Sequence, residues 1–334
     1  MTGRDIGMKI TIYDVAKKAG VSIATVSKVI NNTGNIGEET RQKVNDVIKE
    51  LEYVPNLMAS ALTGKRTQTI GLLIPDISNP FFSAMARYIE DSAHEKGMSV
   101  IMCSIDDSSE KEQKYIELLQ RKQIDGLIVA SLFYNENLLK DLIKKGIPVI
   151  MLAYDDSTFD VSIVSVDDFK GGYEAASHLF SKGHRKIAVI AEHTHSSDLR
   201  LYGYRVALEG RGIEFDEKLI YKTSASIENG KRYFEQIYMD IQPTAIFAFN
   251  DLLAIGVIKG ATEKGIRIPD ELAIIGFDNT ILASTTVPGL TTIAQPIKEM
   301  ALKTVEILIE EIYEQKRTKK RFLFDPELII RGTT

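Results

Sequence analysis

The residues that constrain this chain most are Thr11 to Asn32, TIYDVAKKAGVSIATVSKVINN. The pattern predicts two short helices around a tight turn. Thr11 and Asp14 have the spacing of a capping box, in which a hydroxyl and a carboxylate satisfy N–H groups that an opening helix leaves unpaired. Ile12, Val15, Ala16 and Ala19 recur at helical spacing and make one apolar face. Gly20 ends that helix, because glycine takes the left-handed conformation of a last turn without steric cost. Ser22 then offers a new N-cap with Thr25 three residues on, and Val26, Val29 and Ile30 supply a second buried face. Two helices this short, joined through a glycine, match the helix-turn-helix unit, whose second helix enters a DNA major groove.

With Val21, Val26 and Val29 turned inward, the second helix must expose Ile23, Ala24, Thr25, Ser27, Lys28 and Asn31. These groups suit a groove. The hydroxyls of Ser22, Thr25 and Ser27 can bond phosphate oxygens, Lys28 can reach guanine or phosphate, and Ile23 with Ala24 can touch thymine methyls. A solvated helix in a small bundle is the competing reading, and spacing alone does not choose between them. Residues 37–53, GEETRQKVNDVIKELEY, predict a third helix with an acidic first turn and Val44, Val47, Ile48 and Leu51 on one stripe. Pro55 ends it. Asn56 to Gly64, NLMASALTG, then predicts a turn or two of helix around Leu62, too short to persist alone in water, so it orders only against something else.

YDVAKKAGVSIATVSKVIN, YVPN and ASALTGKRT together resemble the headpiece and hinge of the LacI/GalR family of bacterial transcription regulators. The resemblance implies that Ser22, Ile23, Ala24, Thr25, Ser27, Lys28 and Asn31 face double-stranded DNA, with Thr11 among the contacts. It also implies that Tyr53 and Asn56 touch the DNA backbone and that Leu62 wedges into the minor groove, where an apolar wedge bends the duplex onto more protein surface. Two departures stand out: Ser60 occupies a place where family members often carry Arg, and the apolar pair Ile23 and Ala24 predicts methyl-dominated readout.

A chain of 334 residues with 44% hydrophobic content exceeds one ordinary core, so a small and a large unit are expected. The net charge of −5 looks wrong for a DNA binder. Residues 1–66, however, carry ten Lys or Arg against seven Asp or Glu, a net +3, and the remainder carries 31 against 39, a net −8. The basic part is the headpiece, as phosphate neutralisation requires, and dimerisation would double its charge. The single cysteine, Cys103, excludes an internal disulfide and reads as a buried thiol in SVIMCSI. With no basic-then-apolar leader and no long apolar run, the chain is expected to be a cytoplasmic, nucleoid-associated protein with no membrane contact. MTGRDIG, ahead of Met8, carries no packing signal and reads as an extension or an upstream start.

From Thr69 the chain alternates strands and helices. TIGLLIP, SVIMCSI, GLIVAS and PVIML are short apolar runs, with helical patterns at 81–96, 109–122 and 135–145 between them. IAVIAE, LIYKT, TAIFAFN and LAIIGFDN repeat the alternation with helices at 198–211, 227–239 and 251–264. Such alternation predicts two parallel sheets covered by helices, with a ligand cleft beyond the carboxyl ends of the strands. The strand ends supply candidates: Asn79 and Phe81 or Phe82 after the first, Arg200 after the fifth, Asn250 with Asp251 after the seventh, and Asp278 with Asn279 after the eighth. One of the two phenylalanines is expected to go to the core, and Phe81 is the expected ligand contact. Asn and Asp are also ordinary helix caps, so the weight lies in four strand ends carrying such groups together.

The resemblance implies the same fold: a small all-α helix-turn-helix headpiece plus an α/β periplasmic-binding-protein-like core of two parallel-sheet subdomains. Its expected division is headpiece 8–55, hinge and linker 56–68, and core 69–334, with one subdomain over about 69–166 and 296–323 and the other over about 167–295 and 324–334. Arg200, Asn250 and Asp278 fall at effector-contacting positions of that family, whereas Ala153 stands where sugar-responsive members commonly carry Asp, with Asp155 two residues later. GFDNTILA and IAQPIKEM are closest in flavour to the catabolite-control and degradation-activator branch. Members that bind a phosphorylated carrier protein use basic residues on the helix after QP; Lys303 and Glu306 stand there instead.

Enzymatic classes find no support, since neither GxGxxG after the first strand, nor GxxxxGK[ST], nor GxSxG occurs. His193 and His195 lie in a loop-like EHTHSSD with no Cys nearby, which favours a solvated or effector-facing loop over a metal site. No cofactor is expected. The reading is therefore a homodimeric transcriptional regulator, a repressor by preference, that binds a palindromic operator under control of a sugar, sugar phosphate or related metabolite. The alternative is an activator or global regulator controlled by a protein partner.

Overall fold

The computed structural model describes residues 10–30, 32–53, 66–130, 133–154, 159–314 and 318–334. The expectations for Asn31, Asn56 and Leu62 lie outside the described residues. The chain divides into two compact units, Met1–Thr67 and Gln68–Thr334.

In the first unit, α1 (Ile12–Ala19), α2 (Ile23–Ile30) and α3 (Glu38–Glu50) enclose a core of Val15, Ala16, Ala19, Val26, Val29, Val44 and Val47. The opening cap forms as the spacing predicts: Asp14 accepts the Thr11 backbone N–H at 2.8 Å and the Thr11 hydroxyl at 2.7 Å. Gly20 has φ +65°, the left-handed C-cap. Ser22 Oγ accepts the Thr25 N–H at 3.1 Å and so starts α2.

The second unit contains β1 (Thr69–Ile74), α4 (Pro80–Glu95), β2 (Ser99–Ser104), α5 (Ser109–Arg121), β3 (Gly126–Val129), α6 (Glu136–Lys144), β4 (Val149–Leu152) and β5 (Ser162–Val166). There follow α7 (Asp168–Ser181), β6 (Ile187–Ala191), α8 (His195–Glu209), β7 (Ile220–Lys222), α9 (Ile227–Asp240), β8 (Ala245–Ala248), α10 (Asp251–Glu263), β9 (Ala273–Asp278), α11 (Ile281–Thr285) and β10 (Thr291–Ala294). The chain closes with α12 (Ile297–Tyr313), β11 (Arg321–Phe324) and β12 (Glu327–Ile329). One sheet has the order β11-β5-β4-β3-β1-β2 and the other β12-β10-β9-β8-β6-β7, so both halves wind the same way. Neighbouring strands run parallel apart from β12, which is antiparallel to β10. Apolar clusters cover both faces of each sheet, which is why the inner strands read as continuous hydrophobic runs.

Several elements escape the sequence pattern. β5 (SIVSV) and β10 (TTIA) mix hydroxyls with apolar residues, and the fold satisfies those hydroxyls internally: Ser162 donates to Glu311, and Thr292 donates to Asp251 at 2.8 Å. β11 and β12 are edge strands with partly exposed side chains, and β11 runs one residue past the expected subdomain boundary, to Phe324. α8 begins at His195 rather than 198, because Thr194 caps it through the Ser197 N–H at 3.2 Å. Helix α7 carries Gly171 and Gly172 in its interior, a pattern that counts against a helix. The reason is close approach. A Cβ on Gly172 would lie 2.0 Å from the Arg200 carbonyl oxygen, and one on Gly203 would lie 2.0 Å from that of Phe169, so α7 and α8 touch through their backbones.

Cys103 is buried on β2, and burial pushes its thiol up to about 11, which makes it unreactive. Among the described residues no helix is long and apolar enough to cross a membrane. Replacing Gly172 by Ala is expected to cost about 3 kcal/mol, because two backbones must separate to admit the methyl. Urea unfolding of wild type and G172A checks this; equal midpoints would show that the helices do not meet through their backbones.

Candidate functional site

On the headpiece, α2 exposes Ser22, Ile23, Ala24 and Lys28, half-buries Thr25 and Ser27, and buries Val26 and Val29. Ile23 keeps 39% of its surface in solvent, which leaves its side chain accessible beside Ser22 and Ala24. The Ser22 and Thr25 hydroxyls lie 2.9 Å apart, so their cap bonds would be shared with or exchanged for any phosphate. Thr11 is exposed, with its hydroxyl directed to Asp14. Tyr53 is half-buried against the three-helix core, so its ring already has a packing role. Tyr13 is a residue that the sequence pattern does not single out. It stands 67% exposed on α1, off the stripe of Ile12, Val15, Ala16 and Ala19.

In the second unit, a cavity of about 320 Å³ opens at the carboxyl ends of both sheets. Its walls come from residues just after β1 (Asp76, Asn79), β2 (Asp107), β4 (Ala153, Tyr154), β6 (Glu192, His193) and β7 (Thr223, Ser224), where strand polarity places ligand contacts. A smaller pocket of about 80 Å³ shares Asn79, Phe82, Ala153 and Glu192 with it and adds Phe81, Asp168, Arg200, Asn250, Asp278 and Gln295. All five residues expected to contact an effector thus border one continuous group of walls.

Arg200 is held on three sides. Its Nε donates to Asp168 Oδ1 at 2.7 Å, Nη1 donates to the Phe249 carbonyl, and the guanidinium lies 3.6 Å over the Phe277 ring. Both ion-pair side chains are almost fully buried. Burial raises the Asp168 carboxyl from its usual value, and the Arg200 charge opposes that rise. Asn250 caps α10 by accepting the Leu253 N–H at 2.9 Å, while its Nδ2 donates to Glu192 at 2.7 Å. Gln295 Nε2 donates to Asp278 Oδ1 at 2.7 Å. Burial lifts Glu192 and lifts Asp278 well above the usual carboxylate range, Arg200 pulling the other way.

The neighbours of these residues do other work. Asp251 accepts from Thr280 N, Thr280 Oγ1 and Thr292 Oγ1, and burial pushes its carboxyl up to about 6. Asn279 accepts from Arg331 at 2.7 Å. Phe81 is 5% exposed and belongs to the core of the first sheet, yet it lines the smaller pocket together with Arg200, Asn250 and Asp278. Phe82, its edge-on neighbour at 5.1 Å, borders both pockets. Asn79 accepts the Phe81 N–H at 3.0 Å as the cap of α4, so its carbonyl side is occupied and its amide is what it can offer a ligand. His193 borders the cavity, while His195 sits in the first turn of α8, edge-on to Tyr154 at 6.2 Å. Asp107 and Glu192 also follow strands, so applying the strand-end rule to every strand would have found them; Asp168 and Gln295 flank elements that the sequence pattern does not reveal.

Residues 11–56 match the bacterial regulatory proteins of the lacI family, and residues 176–334 match the periplasmic binding protein-like domain. Over 332 residues, 98% of each chain, the sequence is 46% identical to the HTH-type transcriptional regulator DegA of Bacillus subtilis (strain 168). The chain belongs to the lacI family. Catabolite control protein A of Priestia megaterium is 36% identical across 93% of this chain and 94% of its own. Among solved structures, the lac repressor dimer bound to operator and the anti-inducer ONPF superposes with a TM-score of 0.87 at 28% identity, covering 98% of this chain and 99% of the other. This lacI-family chain is a DNA-binding transcriptional regulator and not an enzyme, and such bacterial regulators act in the cytoplasm.

Two outcomes follow from the buried charges. Arg200→Met leaves Asp168 buried without its cation and should destabilise the second unit by about 3–5 kcal/mol, read by denaturant unfolding. Asp251 keeps its proton in the folded state up to about 6, whereas the unfolded chain releases it near the usual 3.8. The folded state therefore binds more protons in that window, so this group's contribution to stability falls as pH rises from 3.8 to about 6 and is constant above. Unfolding measured across that range should show a shallower decline for Asp251→Asn than for wild type.

Proposed function

We propose that this regulator binds a palindromic operator as a homodimer, one α2 per half-site, and that a small molecule in the cavity at the sheet ends changes its affinity for DNA. The observation that carries the reading is α2 itself, a helix that buries Val26 and Val29 yet presents Ser22, Ile23, Ala24 and Lys28 to solvent. Lys28 supplies charge, the hydroxyls of Ser22, Thr25 and Ser27 fix register on phosphates, and Ile23 with Ala24 reads thymine methyls. Asn31, Tyr53 and Asn56 extend the interface. Leu62 is assigned to a wedge in the minor groove, with the short segment 56–68 acting as the hinge that transmits the signal. Such a regulator resides on the nucleoid.

The effector contacts are assigned to Asn79, Phe81, Phe82, Arg200, Asn250 and Asp278, all of which line the smaller pocket. Because the cavity draws walls from both sheets, a ligand that fits one relative posture of the halves better than another biases that posture. The effect on DNA affinity equals the difference in the ligand's affinity for the two postures, about 1–3 kcal/mol for regulators of this kind. Repression is the assigned sign. Control by a basic docking face on α12 is disfavoured, since Lys303 lies 2.9 Å from Glu306 and sits over the Phe322 ring.

Operators selected from random palindromes and tested by gel shift at two salt concentrations check the reading. Lys28→Ala should weaken binding and reduce the salt slope by about 2 per dimer, because each protomer then neutralises about one phosphate fewer. If the double variant K28A/L62A occupies the selected palindrome as well as wild type does, the assignment of the headpiece face is wrong.

A further inference from the structure

The effector cavity is unusually acidic. Its described walls carry Asp76, Asp107 and Glu192 around the larger space and Asp168, Glu192 and Asp278 around the smaller, against a single guanidinium, Arg200. That guanidinium is already committed to Asp168, to the Phe249 carbonyl and to the Phe277 face. Four further carboxyl groups, Asp76, Asp107, Glu192 and Asp278, therefore border the cavity, with Arg200 the one Lys or Arg on its described walls.

The remaining polar groups lean the same way. A carboxylate offers about four lone-pair sites, of which Asn250 takes one on Glu192 and Gln295 takes one on Asp278. Gln295 is 7% exposed, and its Oε1 is buried without a hydrogen-bond partner while its Nε2 is bound to Asp278. It borders the smaller pocket beside Arg200, and an unmatched buried acceptor costs stability. Near the mouth, Asp107 is hydrogen-bonded to Tyr134 and lies within the field of Asp106 and Asp76. These walls ask for donors and positive charge.

Resting on the effector reading above, we propose that the cavity takes a small hydroxyl-rich molecule bearing a protonated amine, of which an aminosugar is the simplest example, and turns away phosphorylated or carboxylated metabolites. A cavity of about 320 Å³ is at the small end of ligand sites, which suits a molecule of monosaccharide size. The hydroxyls meet Asn79 and the remaining N–H groups of Arg200, and Phe82 covers an apolar ring face. The ammonium meets Glu192 or Asp107 in charge-assisted hydrogen bonds, favouring the ionised carboxylate that burial disfavours. An anion placed against Arg200 would instead meet a guanidinium whose charge Asp168 already balances, on walls that otherwise offer acceptor oxygens, which disfavours it.

The test uses the full chain and three matched series: glucose, galactose and mannose, their 2-amino derivatives and their 6-phosphates, followed by thermal shift and titration calorimetry. Within the series that binds, the amine should bind about tenfold or more tightly than its neutral parent, the worth of a charged hydrogen bond, and the phosphate should give no shift. In the double variant D107N/E192Q the ratio of amine to parent affinity should fall to about one, since any loss common to both cancels in the ratio. A neutral parent equal to its amine, or a phosphate that binds best, overturns the amine assignment and leaves the effector reading standing. An amine preference that survives D107N/E192Q overturns the placement of the ammonium. Silence of all three classes, together with operator binding unaffected by a wider metabolite screen, removes the effector reading itself.

Discussion

Arg200 ties this protein together at two levels. Its carbonyl oxygen occupies the place where a side chain on Gly172 would be, so its backbone sets how closely α7 and α8 pack. Its side chain turns into the cavity wall, fixed by Asp168 from the start of α7 and by the carbonyl at the end of β8. One residue thus couples the helix packing of the second half to the electrostatics of its ligand site. A buried ion pair of this kind contributes little net stability against an apolar alternative, so its persistence points to positioning rather than to strength.

The two halves wind alike, and the chain passes between them after β5, after β10 and after β11. The carboxyl ends of both sheets consequently border a common space, and residues after β1, β2 and β4 confront residues after β6 and β7. A ligand bound there touches both halves. A few connecting segments are the natural place for the backbone to absorb a change of posture, because the sheets are close-packed on both faces and deform little.

The headpiece meets a different constraint. Three helices of 8, 8 and 13 residues bury a handful of Val and Ala side chains, a core near the lower limit for a stable unit. Its caps matter correspondingly, and the Thr11–Asp14 and Ser22–Thr25 bonds tie both helices of the reading motif. The Ser22 and Thr25 hydroxyls lie 2.9 Å apart, so under the proposed reading stability and DNA recognition draw on the same few atoms.

What the sequence by itself determined was everything local or periodic: the caps at Thr11 and Ser22, the left-handed turn at Gly20, the apolar strands of both sheets, and the polar groups that follow them. These depend on neighbours a few residues away, and a linear reading reaches them. What only the tertiary structure decided was long-range. The glycines of α7 read as helix breakers until Arg200, 28 residues after Gly172, takes up the space beside them. The hydroxyl-rich strands β5 and β10 are strands because Glu311 and Asp251, distant in sequence, satisfy them. That Phe81 is buried in the core while Phe82 borders both pockets is settled by packing, and the acidity of the cavity appears only when Asp76, Asp107, Glu192, Asp168 and Asp278 are folded onto one space. Burial and charge density belong to volumes, and a volume is enclosed only after the chain has closed on itself.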